Sequence, residues 1–278
     1  MPLRPEFERV LLVLDLDSPH RDAIEVATRF AELLNLNLVG LFALDNALQQ
    51  LAAYPSAREF VSAGSTWRPI DLDRLVHEQM LAAKAATRVF RELTRAIGVP
   101  TTFEIVTGPS LQAFVSTSRA LDILVVAEPT RASAAATRAF SLVFDAAMHS
   151  PASVLLVPRS VRRRTGPIVA IAGAPDDPGM AVASAIAAAA HEELVMIEAY
   201  QAEASTAGSV LQGVSTRRIS AGRRALTNAQ LAAWFLNGNE SLVVITREGI
   251  AAADDIGLAL AEQRRVPVLI LDSPLRTT

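Results

Sequence analysis

Short runs of leucine, valine and isoleucine recur along this chain and do not alternate with polar residues. They occupy residues 9–15, 36–44, 121–127, 153–158, 169–172, 194–200, 242–246 and 266–271. A strand with one solvated face alternates apolar and polar positions, so uniformly apolar runs predict strands covered on both faces, as in a parallel sheet between helices. Residues 101–106 predict a further strand, and a last one is expected near 215–219. Between the runs the apolar period lengthens to that of a helix. Ala23, Ile24, Ala27, Phe30, Ala31 and Leu34 form one such stripe; Leu75, Val76, Gln79, Met80, Ala83, Thr87, Phe90 and Ile97 form a longer one. Ser18-Pro19 and Asp177-Pro178 each place a capping side chain before a proline suited to a first helical turn. Gly98 and Pro100 are expected to close the long helix.

The stretch 121–158 predicts a strand, a crossover helix over 132–148 bearing Phe140, Val143, Phe144 and Ala147, and a parallel strand. Ligands bind such sheets outside the carboxyl ends of the strands, which directs attention to the loop Ala127-Glu128-Pro129-Thr130-Arg131. Residues 46–69 lose periodicity and read as a long excursion. Residues 109–115 suggest a short helix bearing Leu111, Phe114 and Val115. The segment from Pro158 to Gly166 is polar and arginine-rich, the best candidate for a boundary. After it the strand pattern starts again, and 242–246 and 266–271 answer 123–127 and 154–157. The expected organisation is therefore residues 1–158, a linker at 159–166, and a shorter second copy at 167–278, with a helix over 223–237 in its middle.

Composition narrows the chemistry. With no cysteine, thiolate catalysis, disulfides and cysteine-bound zinc are excluded. The net charge of −3 and 5% aromatic content argue against a dedicated nucleic-acid binder. The linker arginines could contact an anion, but a short charge run of this kind is read as a solvated face. The apolar stretch over 180–190 is too short to span a bilayer, and a cytoplasmic protein without membrane contact is the expectation. His20, His77, His149 and His191 show no ligand spacing. No nucleophile elbow or spaced carboxylate pair is present, so a non-enzyme is expected.

The strand spacing, the Gly108-Pro109 helix start and the closing Ser150-Pro151-Ala152-Ser153-Val154-Leu155-Leu156-Val157-Pro158 together resemble the universal stress protein family. The resemblance covers nearly all of residues 1–158 and, by strand pattern alone, residues 167–278. It implies an α/β fold of two doubly wound, mainly parallel five-stranded, Rossmann-like sheets of order 3-2-1-4-5 in tandem. It also implies an ATP site built from an aspartate ending the first strand and a loop G-x2-G-x9-G-[S/T] after the fourth. Laid on that pattern, Asp15 takes the aspartate position. Ala127, Thr130 and Phe140 take the glycine positions and Ser141 the final hydroxyl. All three glycines are replaced and Pro129 removes an N–H donor, so backbone approach to a phosphate is lost. The second copy has Ala174 at the aspartate position and keeps one possible loop glycine, Gly249.

Asp15, Ala127, Thr130 and Ser141 are accordingly the cofactor-binding candidates, relevant only if a nucleotide binds. Helix-entrance and capping roles are the simpler account of Asp15, Asp17 and Thr130. The resulting expectation is a non-enzymatic universal-stress-type protein with a decayed ATP loop and no cofactor, acting in a stress response on a protein partner or small ligand. The alternative is an ATP-binding regulator with an altered loop; a hydrolase or transferase on the same fold is a weaker third. In the resembled family the fifth strand pairs antiparallel with its counterpart in a dimer. Here the two fifth strands are expected to pair within one chain as a pseudo-dimer, with homodimerisation a further option.

Overall fold

The computed structural model describes residues 7–14, 20–45, 50, 54–61, 64–108, 115, 118–129, 134–199, 209–211, 214–220, 239–247 and 253–272. In chain order the strands of the main sheet and their helices run as follows. β1 (Arg9–Leu14), α1 (His20–Leu34) and β2 (Asn37–Asp45) come first. A hairpin, β3 (Arg58–Val61) and β4 (Thr66–Pro69), precedes α2 (Leu72–Thr94) and β5 (Thr101–Gly108). β6 (Asp122–Ala127), α3 (Ala134–Met148) and β7 (Ser153–Val157) end the first half. The second half contains β8 (Ile168–Ala172), α4 (Pro178–Ala190), β9 (Leu194–Glu198), β10 (Ser209–Leu211) and β11 (Val214–Ser220). It closes with β12 (Leu242–Thr246), α5 (Ala253–Arg264) and β13 (Val268–Leu271).

The sheet order is β10-β11-β9-β8-β12-β13-β7-β6-β1-β2-β5. Within β5-β2-β1-β6-β7 all neighbours are parallel, as they are within β11-β9-β8-β12-β13. Counted by appearance in each half, both runs read 3-2-1-4-5. The two expected five-stranded runs are joined by the expected antiparallel pairing of their fifth strands, so that they form one continuous 11-stranded sheet rather than two. The reason is the junction. β7 and β13 pair antiparallel, with Val154 opposite Ile270, Leu155 opposite Leu269 and Leu156 opposite Val268. Each would otherwise be an apolar edge with unpaired backbone donors, and all of these side chains are fully buried. The added edge strand β10 pairs antiparallel with β11.

Both faces are covered, which is why the strands are apolar throughout. Val10, Leu12 and Leu14 pack on the side of α1, α2 and α4 (Ala27, Phe90, Ile186). Leu11 and Val13 face the side of α3 and α5 (Phe144, Ala147, Ile256, Leu260). Close packing at the covered edge needs a glycine in β2: a Cβ at Gly40 would lie 2.5 Å from Phe103 Cδ2 and 2.9 Å from Phe90 Cε2.

Several boundaries differ from the sequence expectation. The long helix stops at Thr94, with Arg95 as its C-cap, rather than near Gly98. Its buried stripe is Gln79, Ala83, Ala86, Phe90 and Thr94, and its N-cap is Asp71, which accepts from the Arg74 N–H at 3.0 Å. The excursion contains the β3–β4 hairpin, whose exposed Phe60 and Trp67 rings meet at 5.3 Å. Arg74 anchors the hairpin through Glu59 at 2.5 Å. The expected helices over 223–237 and near 109–115 lie outside the described residues, Val115 excepted; that side chain is buried.

Candidate functional site

Parallel strands of one half deliver their carboxyl ends to one edge of the sheet, and the antiparallel junction sends those of the other half to the opposite edge. Strand direction thus sets the two positions where sheets of this kind form a ligand cleft at opposite ends of the molecule.

In the second half the cleft lies between the ends of β8 and β12, and Asp177 occupies it. This residue is the N-cap of α4, followed by Pro178 at the first turn. One carboxylate oxygen, Oδ2, accepts from the Gly173 N–H at 2.8 Å and from the Thr246 hydroxyl at 3.0 Å. The other, Oδ1, accepts from the Gly179 N–H at 2.9 Å. The side chain is buried. Gly179 permits this approach, since a Cβ there would meet Asp177 Oδ1 at 3.0 Å and Thr246 Cγ2 at 3.1 Å. A helix N-terminus flanked by loop N–H groups favours an anion, and here the anion is the protein's own carboxylate.

In the first half the cleft lies beyond β1 and β6. Asp15, Asp17, Thr130 and Arg131 lie outside the described residues. Ala127 is the last residue of β6, partly buried and paired opposite Val157. Ser141 is exposed and sits within α3, seven residues after the helix begins, roughly 10 Å along its axis at 1.5 Å per residue. Phe140 is partly buried and stacks on Phe144, with centroids 5.9 Å apart. Ala127 and Ser141 are therefore not brought together at a helix start.

What the sequence reading missed is a pair of charged residues directly after the fourth strand of each half. Glu128 and Arg247 hold the same backbone position: Glu128 N donates to Val157 O at 2.9 Å, and Arg247 N donates to Leu271 O at 3.0 Å. Both reach along the junction. Glu128 Oε2 accepts from Arg159 N at 3.2 Å, and Arg159 Nε donates to Pro129 O at 2.9 Å. Glu128 Oε1 is buried without a hydrogen-bond partner among the described residues. Burial pushes this carboxyl above the ordinary carboxylate range, and the charge of Glu262 adds to the effect. Arg247 donates to the carbonyls of Ala147, Ser150 and Ala152 at 3.2, 2.8 and 2.8 Å. It thereby neutralises the negative end of α3 and lies 3.4 Å from Asp272. The signal available in the sequence was a charge closing an otherwise apolar run, at 128 and at 247.

Among the described residues no cluster of three or more His, Asp or Glu side chains could hold a metal ion, and no helix is long and apolar enough to cross a membrane. No protein-family model and no curated protein matches the sequence. Solved structures do. The chain superposes on a universal stress protein from Archaeoglobus fulgidus with TM-score 0.59 and 13% identity, covering 94% of this chain and 96% of that one. A putative universal stress protein from Pseudomonas aeruginosa gives TM-score 0.54 and 11% identity, covering 96% of this chain and 93% of that one. At this identity the likeness concerns the fold, and the fold of this chain is that of the universal stress proteins.

Proposed function

We propose that this chain is a non-enzymatic, stress-response-type binding protein that has given up nucleotide as a ligand. It is built as two universal-stress-type domains, residues 1–158 and 167–278, around a linker at 159–166, and acts on a protein partner or small ligand without a cofactor. The observation that carries this reading is the Asp177 carboxylate, held on the Gly173 and Gly179 N–H groups and the Thr246 hydroxyl. Those donors are taken up by the protein's own carboxylate, and a second anion beside a buried carboxylate is repelled. In the first half Ala127, Thr130 and Phe140 stand at the positions where a phosphate loop needs glycine.

Isothermal titration with Mg-ATP tests the proposal. The expected result is no saturable binding tighter than about 1 mM, near −4 kcal/mol. Saturable micromolar binding that disappears in Asp15→Ala would replace this reading with the ATP-binding regulator.

A further inference from the structure

β5 ends the sheet, paired with β2 on one side only among the described residues. Leu38 N donates to Pro100 O at 3.0 Å. By strand alternation Thr102 and Glu104 also turn their backbone groups toward β2, while Phe103 and Ile105 turn theirs outward. The side chains of Phe103 and Ile105 share the face covered by α2, where the Phe103 ring lies 4.9 Å from that of Phe90. Ile105 remains 41% exposed.

Beside it α2 carries Lys84, Arg88 and Arg91 and its C-cap is Arg95, a spacing of four, three and four that places them on one stripe. All four are exposed, and none is ion-paired among the described residues; the neighbouring Glu92 instead lies 4.0 Å from Arg21. These cations line one groove between helix and sheet edge together with Thr87, Glu92 and Ile105, four positive charges against one negative. In a chain of net charge −3 this is a local departure in sign. From Lys84 to Arg95 the stripe runs ~16 Å at about 1.5 Å per residue, matching about five residues of extended strand at roughly 3.3 Å each.

We propose that this groove docks an extended peptide segment with acidic residues at alternate positions, added as a strand to β5. Every second side chain of such a segment points to one face, so acids at i, i+2 and i+4 would meet the stripe while the backbone pairs with Phe103 and Ile105. Ile105 supplies an apolar contact between the charges. Charge also selects against a second copy joined edge to edge through β5, which would bring its own four cations. This deepens the protein-binding reading above, but on a surface remote from both clefts, so its failure is distinct from that of the nucleotide titration.

Fluorescence anisotropy with a labelled decapeptide alternating glutamate and valine tests it. The expected result is saturable binding that weakens with salt and falls about tenfold or more in Arg88→Glu/Arg91→Glu, with circular dichroism unchanged. N-methylation of alternate peptide amides should cost a similar factor without altering charge. A peptide of the same composition with its glutamates in one block should bind more weakly. Equal binding of the block peptide, indifference to N-methylation, or tighter binding of duplex DNA or anionic lipid vesicles would overturn the proposal and make the stripe a general polyanion surface.

Discussion

Thr246 donates its hydroxyl to the Asp177 carboxylate across 3.0 Å, tying the end of β12 to the start of α4 inside the second cleft. Hydrogen bonds to a charged group contribute more than neutral ones, roughly 1.5–3 kcal/mol each. Asp177→Ala removes a helix cap and strands the Gly173 N–H and the Thr246 hydroxyl, so a loss of about 3 kcal/mol is expected. Thr246→Val should cost less, about 1–2 kcal/mol. Urea denaturation of both single variants and the double variant measures their coupling, and additive losses would show that the two groups do not interact.

Glu128 makes a pH-dependent contribution of definite sign. Its carboxyl is raised in the folded state by burial, above the ordinary value of 4.5. The folded protein therefore binds this proton more tightly than the unfolded chain. The associated stability is complete below the ordinary value and is lost as pH rises through the raised one. Glu128→Gln keeps an acceptor for the Arg159 N–H and cannot ionise. The variant should match wild type in acid and exceed it at neutral pH; thermal unfolding measured from pH 4 to 8 checks this.

Leu155 and Leu269 face each other in the middle of the antiparallel junction, both fully buried. Proline at 155 removes a ladder donor in a central strand and introduces a ring, at a cost of about 3 kcal/mol or more. Leu155→Pro should aggregate or loosen the two halves, whereas Arg163→Ala in the exposed linker should do neither. Small-angle scattering and melting temperature separate the outcomes; wild-type compactness and melting in Leu155→Pro would contradict this role for the junction.

Gly166 closes the linker with φ +133°, and a Cβ there would collide with the backbone carbonyl of Asn239. The Gly166 N–H also donates to Glu192 Oε1 at 2.9 Å, and its carbonyl accepts from the Ser241 hydroxyl at 2.7 Å. Strain and overlap together should make Gly166→Ala destabilising by about 2–4 kcal/mol, read as a lowered urea midpoint. Gly98→Ala has open space around it and ordinary φ, and should be neutral or slightly stabilising.

The candidate site was legible only in part. Asp177-Pro178 read correctly as a helix start, because capping and proline at the first turn are local properties. That the same carboxylate would also hold Thr246 was not legible, since the two are 69 positions apart and meet only through the β8–β12 pairing. Glu128 and Arg247 were passed over for a similar reason. Charge after an apolar strand usually ends in water, and here the antiparallel junction brings the linker and the end of α3 over these residues. Ser141 enters only through a gap-free alignment to the resembled pattern, and it lies within α3, which begins at Ala134.

By itself the sequence determined the strands, most helices and their repeat, because apolar runs without alternation require a sheet covered on both faces. It also determined that positions 127, 130 and 140 carry Ala, Thr and Phe rather than glycine, since a Cβ is present or absent whatever the fold. The tertiary structure decided how the halves join. The pairing of β7 with β13 is expected only through the family resemblance, because backbone pairing is indifferent to side-chain identity; the structure sets its register, Leu155 opposite Leu269, within one sheet of 11 strands. It also decided the charges: whether a carboxylate is solvated, paired or used to fill a cleft depends on which donors the folded chain carries to it.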